Sequence, residues 1–139
     1  MNKVLWVAQI LLAIAFLAHG IMLIAPPPDI AVLMNASLPR WFQLFLGVAE
    51  VLAAVGLTLP GVTRIQPWLV PAAAAGVVIV MVSATVWHTV RGEYSSAATT
   101  FVLLLISAFV AHGRWKRVPI AARFQASRSD PSTSEAQKM

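Results

Sequence analysis

Residues 41–59 read WFQLFLGVAEVLAAVGLTL, an apolar run broken by a single charge, Glu50. At about 1.5 Å of rise per residue, some 18 or more apolar residues reach across the hydrocarbon layer as a helix. Outward from this run the pattern repeats: between Lys3 and Asp29, between Arg64 and Arg91, and between Glu93 and Arg114 there is no Asp, Glu, Lys or Arg. The 139 residues are 59% hydrophobic and 11% charged, with a mean hydropathy of +0.79. Soluble domains carry about 45–50% apolar and about 25% charged residues. The expected fold is therefore all-α, a four-transmembrane-helix antiparallel bundle with spans near 4–25, 41–59, 66–89 and 97–113, all inside one domain of residues 1–117.

The tryptophans provide an independent check. Their amphipathic rings prefer the headgroup boundary, and Trp6, Trp41, Trp68, Trp87 and Trp115 all fall at expected span ends. Pro26, Pro27 and Pro28 should stop the first helix, because consecutive missing donors cannot continue one. Pro60-Gly61 is expected to turn the second span into the third, and Arg91-Gly92-Glu93-Tyr94 to link the third to the fourth. The first apolar stretch exceeds the roughly 7–15 residues of a signal-peptide core and lacks a clear cleavage site, so it reads as an anchor.

The net charge of +5 does not imply nucleic acid, because the basic residues segregate by face. Lys3, Arg64, Arg114, Lys116, Arg117, Arg123, Arg128 and Lys138 lie on the side of the termini; Arg40 and Arg91 lie on the other. By the positive-inside rule both termini are cytoplasmic. Arg114-Trp115-Lys116-Arg117 reads as the stop-transfer anchor. The polar stretch 118–139 cannot bury a core and is expected to be disordered.

An ionisable residue within a span marks a functional-site hypothesis. Glu50 lies about nine residues into its span, roughly 14 Å deep, where a lone carboxylate is very costly. Gln43, Gly47 and Glu50, continued by Ala54 and Leu57, form a helical stripe expected to face the bundle. Gly47 leaves room there for a neighbouring backbone or a ligand. His19, His88, Thr85, Thr99 and Thr100 occupy the outer half of the other spans by depth and are expected to share a pocket with Glu50. His112 reads as interfacial. Zero cysteines exclude thiol exchange and iron–sulfur ligation. The histidines lack metal-ligand spacing, so no metal site is expected. The small residues Ala49 and Ala53, and Ala72 and Gly76, have the spacing for close helix approach or oligomerisation.

His19-Gly20, Gly47-x-x-Glu50 with Gly56, Leu59-Pro60-Gly61, and His88-x-x-Arg91-Gly92-Glu93 together resemble the DoxX-like family of small four-helix membrane proteins. The resemblance spans about Lys3 to Arg117. It implies a location in the bacterial cytoplasmic membrane and an association with redox chemistry, as in a subunit of a thiosulfate:quinone oxidoreductase or a partner in oxidant-defence assemblies. The protein would then be an accessory subunit or a site for a small hydrophobic, quinone-like ligand. Glu50 would exchange a proton with the head group while His88, or His19, binds a carbonyl oxygen; Gln43, Gly47, Thr85, Thr99 and Thr100 complete the ligand site. Alternatives are a stand-alone membrane enzyme of isomerase type using the same carboxylate, or a non-catalytic partner in a membrane complex or homo-oligomer.

Overall fold

The computed structural model describes residues 1–123, and these are helical with short connections. In chain order the helices are α1 (Asn2–Ile24), α2 (Pro28–Ser37), α3 (Arg40–Thr63), α4 (Leu69–Val90) and α5 (Tyr94–His112), the last passing into a π turn over Gly113–Arg117. Four segments are long and apolar enough to cross a membrane: Asn2–Ile24, Arg40–Thr63, Leu69–Val90 and Tyr94–Arg117. The chain is a multi-pass membrane protein.

The most extensive packing is of α1 on α3 and of α4 on α5; α3 joins α4, and α1 meets α5. Leu12, Phe16, Ala54, Leu57, Val77 and Met81 form the centre of the core. Outward residues such as Val7, Leu11, Leu52, Ile79 and Leu105 are exposed, as befits helices whose other solvent is acyl chain. The stripe Gln43, Gly47, Glu50, Ala54 and Leu57 is the buried face of α3.

α1 and α3 approach through two glycines. A Cβ on Gly20 would sit 2.8 Å from the Gly47 carbonyl oxygen, and one on Gly47 would sit 2.8 Å from that of Gly20. The space beside Glu50 that Gly47 provides is thus filled by a neighbouring backbone. Above this contact α1 ends as expected before its prolines, and its last carbonyls lose their intrahelical donors. Arg40 takes them over, donating from Nη1 to Leu23 O at 2.8 Å and from Nη2 to Ile24 O.

Four boundaries differ from expectation. The stretch around Asp29 is not a plain loop: Pro28 opens α2, since proline's fixed φ and missing donor suit a first helical position. Pro60-Gly61 does not turn the chain. Both lie inside α3, which runs on to Thr63 and ends at Arg64 with φ 56°. Proline removes one donor, but in an apolar span every other backbone group gains by remaining helical, and Gly61 is where the Trp6 ring abuts α3. Gln66, expected to begin the third span, lies in the connection with φ 49°. The fourth begins earlier than expected, at Tyr94 rather than Ala97, because Gly92 at φ 72° reverses the chain tightly.

Arg114 is likewise no surface anchor. It is 2% exposed, donating from Nε to Gln9 Oε1 at 2.5 Å and from Nη1 to Asn2 Oδ1 at 2.7 Å. Its guanidinium lies 5.1 Å from the Trp6 ring centroid, and Gln9 donates in turn to Leu57 O at 2.8 Å. Beyond Arg117 the chain folds back: the Arg123 N–H donates to Arg64 O at 3.1 Å, and Ile120 lies near Gly61. The remainder of the expected tail, 124–139, lies outside the described residues.

Candidate ligand chamber

At the end of the bundle opposite Asn2 and Arg114, the helices line a half-open chamber of about 890 Å³, large enough for a drug-sized ligand. Its walls are mainly apolar and include Phe16, Leu23, Leu46, Val80 and Leu103, while α2 contributes Leu33, Met34 and Ser37. The Gly20–Gly47 contact fixes the polar centre, because it brings the neighbouring His19 and Glu50 within reach across α1 and α3. His19 Nδ1 and Glu50 Oε2 lie 2.6 Å apart. Glu50 is 5% exposed, and Oε1 makes no hydrogen bond among the described residues. The His19 side chain, 52% exposed, has Nδ1 committed and lines the chamber. A desolvated carboxyl beside an imidazole is a pair between which a proton can move without stranding a charge.

His88 lies elsewhere. It is at the mouth, where Nδ1 meets Glu93 Oε2 at 2.5 Å, and Arg91 Nε donates to Glu93 Oε1 at 2.8 Å. Arg91 also lies over the Trp87 ring, 5.6 Å from its centroid. These hydrogen bonds, that of Arg91 first and that of His88 second, hold the Glu93 carboxyl below its ordinary range. Glu50 and His88 are therefore two separate histidine–carboxylate pairs' members, one deep and one at the rim.

The chamber draws in most of the residues singled out by depth. His19, Gln43, Glu50, His88, Thr99 and Thr100 line it. Gly47 faces Gly20, and Thr85 stands behind Thr100, their hydroxyls 3.0 Å apart, tying α4 to α5. The Gln43 amide is occupied by protein: it donates to Leu38 O at 2.7 Å and Asn35 Oδ1 at 3.1 Å, and accepts from Arg40 Nη1 at 3.4 Å. It fastens α2 to α3. Arg40 itself gave no sign in the sequence beyond its place near the Trp41 boundary; only the unsatisfied carbonyls ahead of Pro26 could have suggested a capping cation. Among the described residues, no group of three or more His, Asp or Glu gathers to hold a metal ion.

The family model of the DoxX-like family matches residues 7–110. The chain belongs to the DoxX-like family. The matched range of this DoxX-like protein holds the whole Glu50–His19 centre and the mouth, and excludes Arg114. No curated protein and no solved structure matches the chain significantly.

Proposed function

We propose that this DoxX-like protein holds the head group of a small hydrophobic, quinone-like amphiphile in the chamber, and that Glu50 exchanges a proton with it. In this reading the protein is an accessory subunit in redox chemistry of the bacterial cytoplasmic membrane. What supports it is the Glu50–His19 pair within apolar walls: Oε2 is held by Nδ1 while Oε1 is free among the described residues.

The chemistry follows from the pair. With Glu50 protonated and donating to His19 Nδ1, the ring's donor is Nε2–H, which hydrogen-bonds a carbonyl oxygen of the ligand. As that oxygen gains electrons from an oxidoreductase partner subunit, it takes the Nε2 proton, and the Glu50 proton moves onto Nδ1. Glu50 is left as the carboxylate and His19 neutral in its other tautomer. Reduction of a quinone to the quinol needs two electrons and two protons; this site serves one oxygen. His88, engaged by Glu93, then belongs to the mouth and not to the transfer.

Trp87 lines the chamber, so binding of a tetrasubstituted benzoquinone is readable as fluorescence quenching in mild detergent. Glu50→Gln keeps the volume and a hydrogen bond but has no proton to give. Binding should persist while quinone turnover of the reconstituted assembly falls by about a hundredfold. Unchanged turnover overturns the proton role, and absence of quenching in the unaltered protein overturns the ligand. Conversion of an isomerisable hydrophobic substrate by the purified chain alone would favour the enzyme reading.

A further inference from the structure

A second hollow of about 300 Å³ lies in the seam between α3 and α4, lined by Ala49, Ala53, Ala73 and Gly76, with Leu52 among its lining. Leu52 is 64% exposed, so this hollow borders the surface that the span turns to acyl chains. Phe16, Leu46, Glu50 and Val80 line both cavities. Those residues lie between the two cavities, and Glu50 borders each.

Gly76 sharpens the point. Where glycines serve helix packing here, an added Cβ collides: with a backbone oxygen at Gly20 and Gly47, and with Ala73 Cβ at 2.9 Å for Gly56. At Gly76 a Cβ would meet nothing within 4 Å. Glycine in a helix interior costs roughly 0.5–1 kcal/mol relative to alanine, and no neighbouring helix requires it at this position. Its structural consequence is an open volume on the outside of the seam.

We infer that the α3–α4 hollow seats the aliphatic tail of the amphiphile whose head group occupies the chamber, and that this ligand enters sideways from the bilayer past Phe16, Leu46 and Val80. The inference rests on the proposed reading of the chamber as a head-group site. A tail attached to a deeply held head has to leave the chamber, and the two routes differ in what they offer it. Through the mouth it would run among His88, Arg91 and Glu93; through the seam it passes Phe16, Leu46 and Val80 and then lies among Ala49, Ala53, Ala73 and Gly76 beside the lipid-facing Leu52. Since lipid is already an apolar solvent, the hollow contributes an unstrained exit more than affinity.

Gly76→Leu places a side chain in the hollow at a position where the fold has room, and unchanged thermal unfolding checks this. The probes are two tetrasubstituted benzoquinones identical except for a methyl or an n-decyl group, read by tryptophan quenching. The decyl homologue should bind Gly76→Leu about tenfold more weakly than it binds the unaltered protein, and the methyl homologue within about twofold. Equal binding of the decyl homologue by both proteins overturns the tail seat and leaves the head-group reading standing. No binding of either probe by the unaltered protein overturns both. Independently of any substitution, a decyl homologue with a terminal diazirine should label Leu52, Ala53 or Ala73 on irradiation. Labelling confined to α2 or to residues 91–96 overturns the sideways route.

Discussion

The two ends of the bundle bury polar side chains in opposite ways. At the end where α1 begins, Arg114 is bound by Gln9 and Asn2 and stacked on Trp6, and Gly113 lies against Leu5, which is fully buried. α1 and α5 are sealed together, and within the seal only Arg114 Nη2 lacks a partner among the described residues. At the other end, Glu50 and His19 each offer one atom to their partner and keep the other for the chamber. Burial alone therefore does not mark a functional group. In the seal, Arg114 Nη2 apart, the buried polar atoms have their hydrogen bonds made by protein, whereas the deep pair keeps Glu50 Oε1 and His19 Nε2 without a partner among the described residues.

If that contrast is right, damage to the seal should cost stability and spare the chamber. Arg114→Ala leaves the Gln9 carbonyl oxygen and Asn2 without their donor and removes the cation over Trp6. The expected loss is about 3 kcal/mol, measured by thermal unfolding in detergent, with quinone quenching of folded protein unchanged. A stable variant with weakened ligand binding would break the comparison, because it would couple the seal to the site.

Gly47→Val attacks the chamber's foundation instead. Its side chain would push against the Gly20 backbone and Ile24, and a helix carbonyl cannot swing aside as a flexible side chain does. About 2 kcal/mol of destabilisation is expected. The informative readout is the His19–Glu50 hydrogen bond, followed through the Nδ1 chemical shift of labelled histidine. Separation of α1 from α3 should abolish that signal even in the fraction that remains folded. Persistence of the bond would mean that the glycine contact does not position the pair.

These cases show what the sequence could and could not disclose. The spans were legible because a charge-free apolar run has few other fates, and the α3 stripe because the helical repeat assigns one face to every fourth or third residue. Pairing was not legible. Depth grouped His19, His88 and Glu50, but which histidine reaches the carboxyl depends on helix neighbours and rotation, set here by Gly20 meeting Gly47. Pro60-Gly61 misled because its local turn preference was outweighed by the need to satisfy backbone groups in an apolar span. Arg114 misled because nothing local tells a cation of a stop-transfer cluster from one turned inward; its signal was Gln9, a polar residue far along the chain from its partner.

The smallest effect is expected at the mouth, and its pH dependence follows from Glu93. Hydrogen bonds from Arg91 and His88 lower its carboxyl below the ordinary range, so the folded protein binds that proton less readily than the unfolded chain does. The stabilisation is fully present above the unfolded carboxylate value of about 4.3 and is lost as pH falls through the lower folded value. Because the group lies in solvent, screening keeps the contribution small. Lowering the pH from neutrality should therefore leave the mouth intact until the medium is more acidic than a free glutamate requires. The release of Arg91 from Glu93 should then register in the emission of Trp87, beneath the guanidinium. In Glu93→Gln that acidic transition should vanish. A transition of the same midpoint in the variant would assign it to another group and detach the mouth's electrostatics from the chamber it borders.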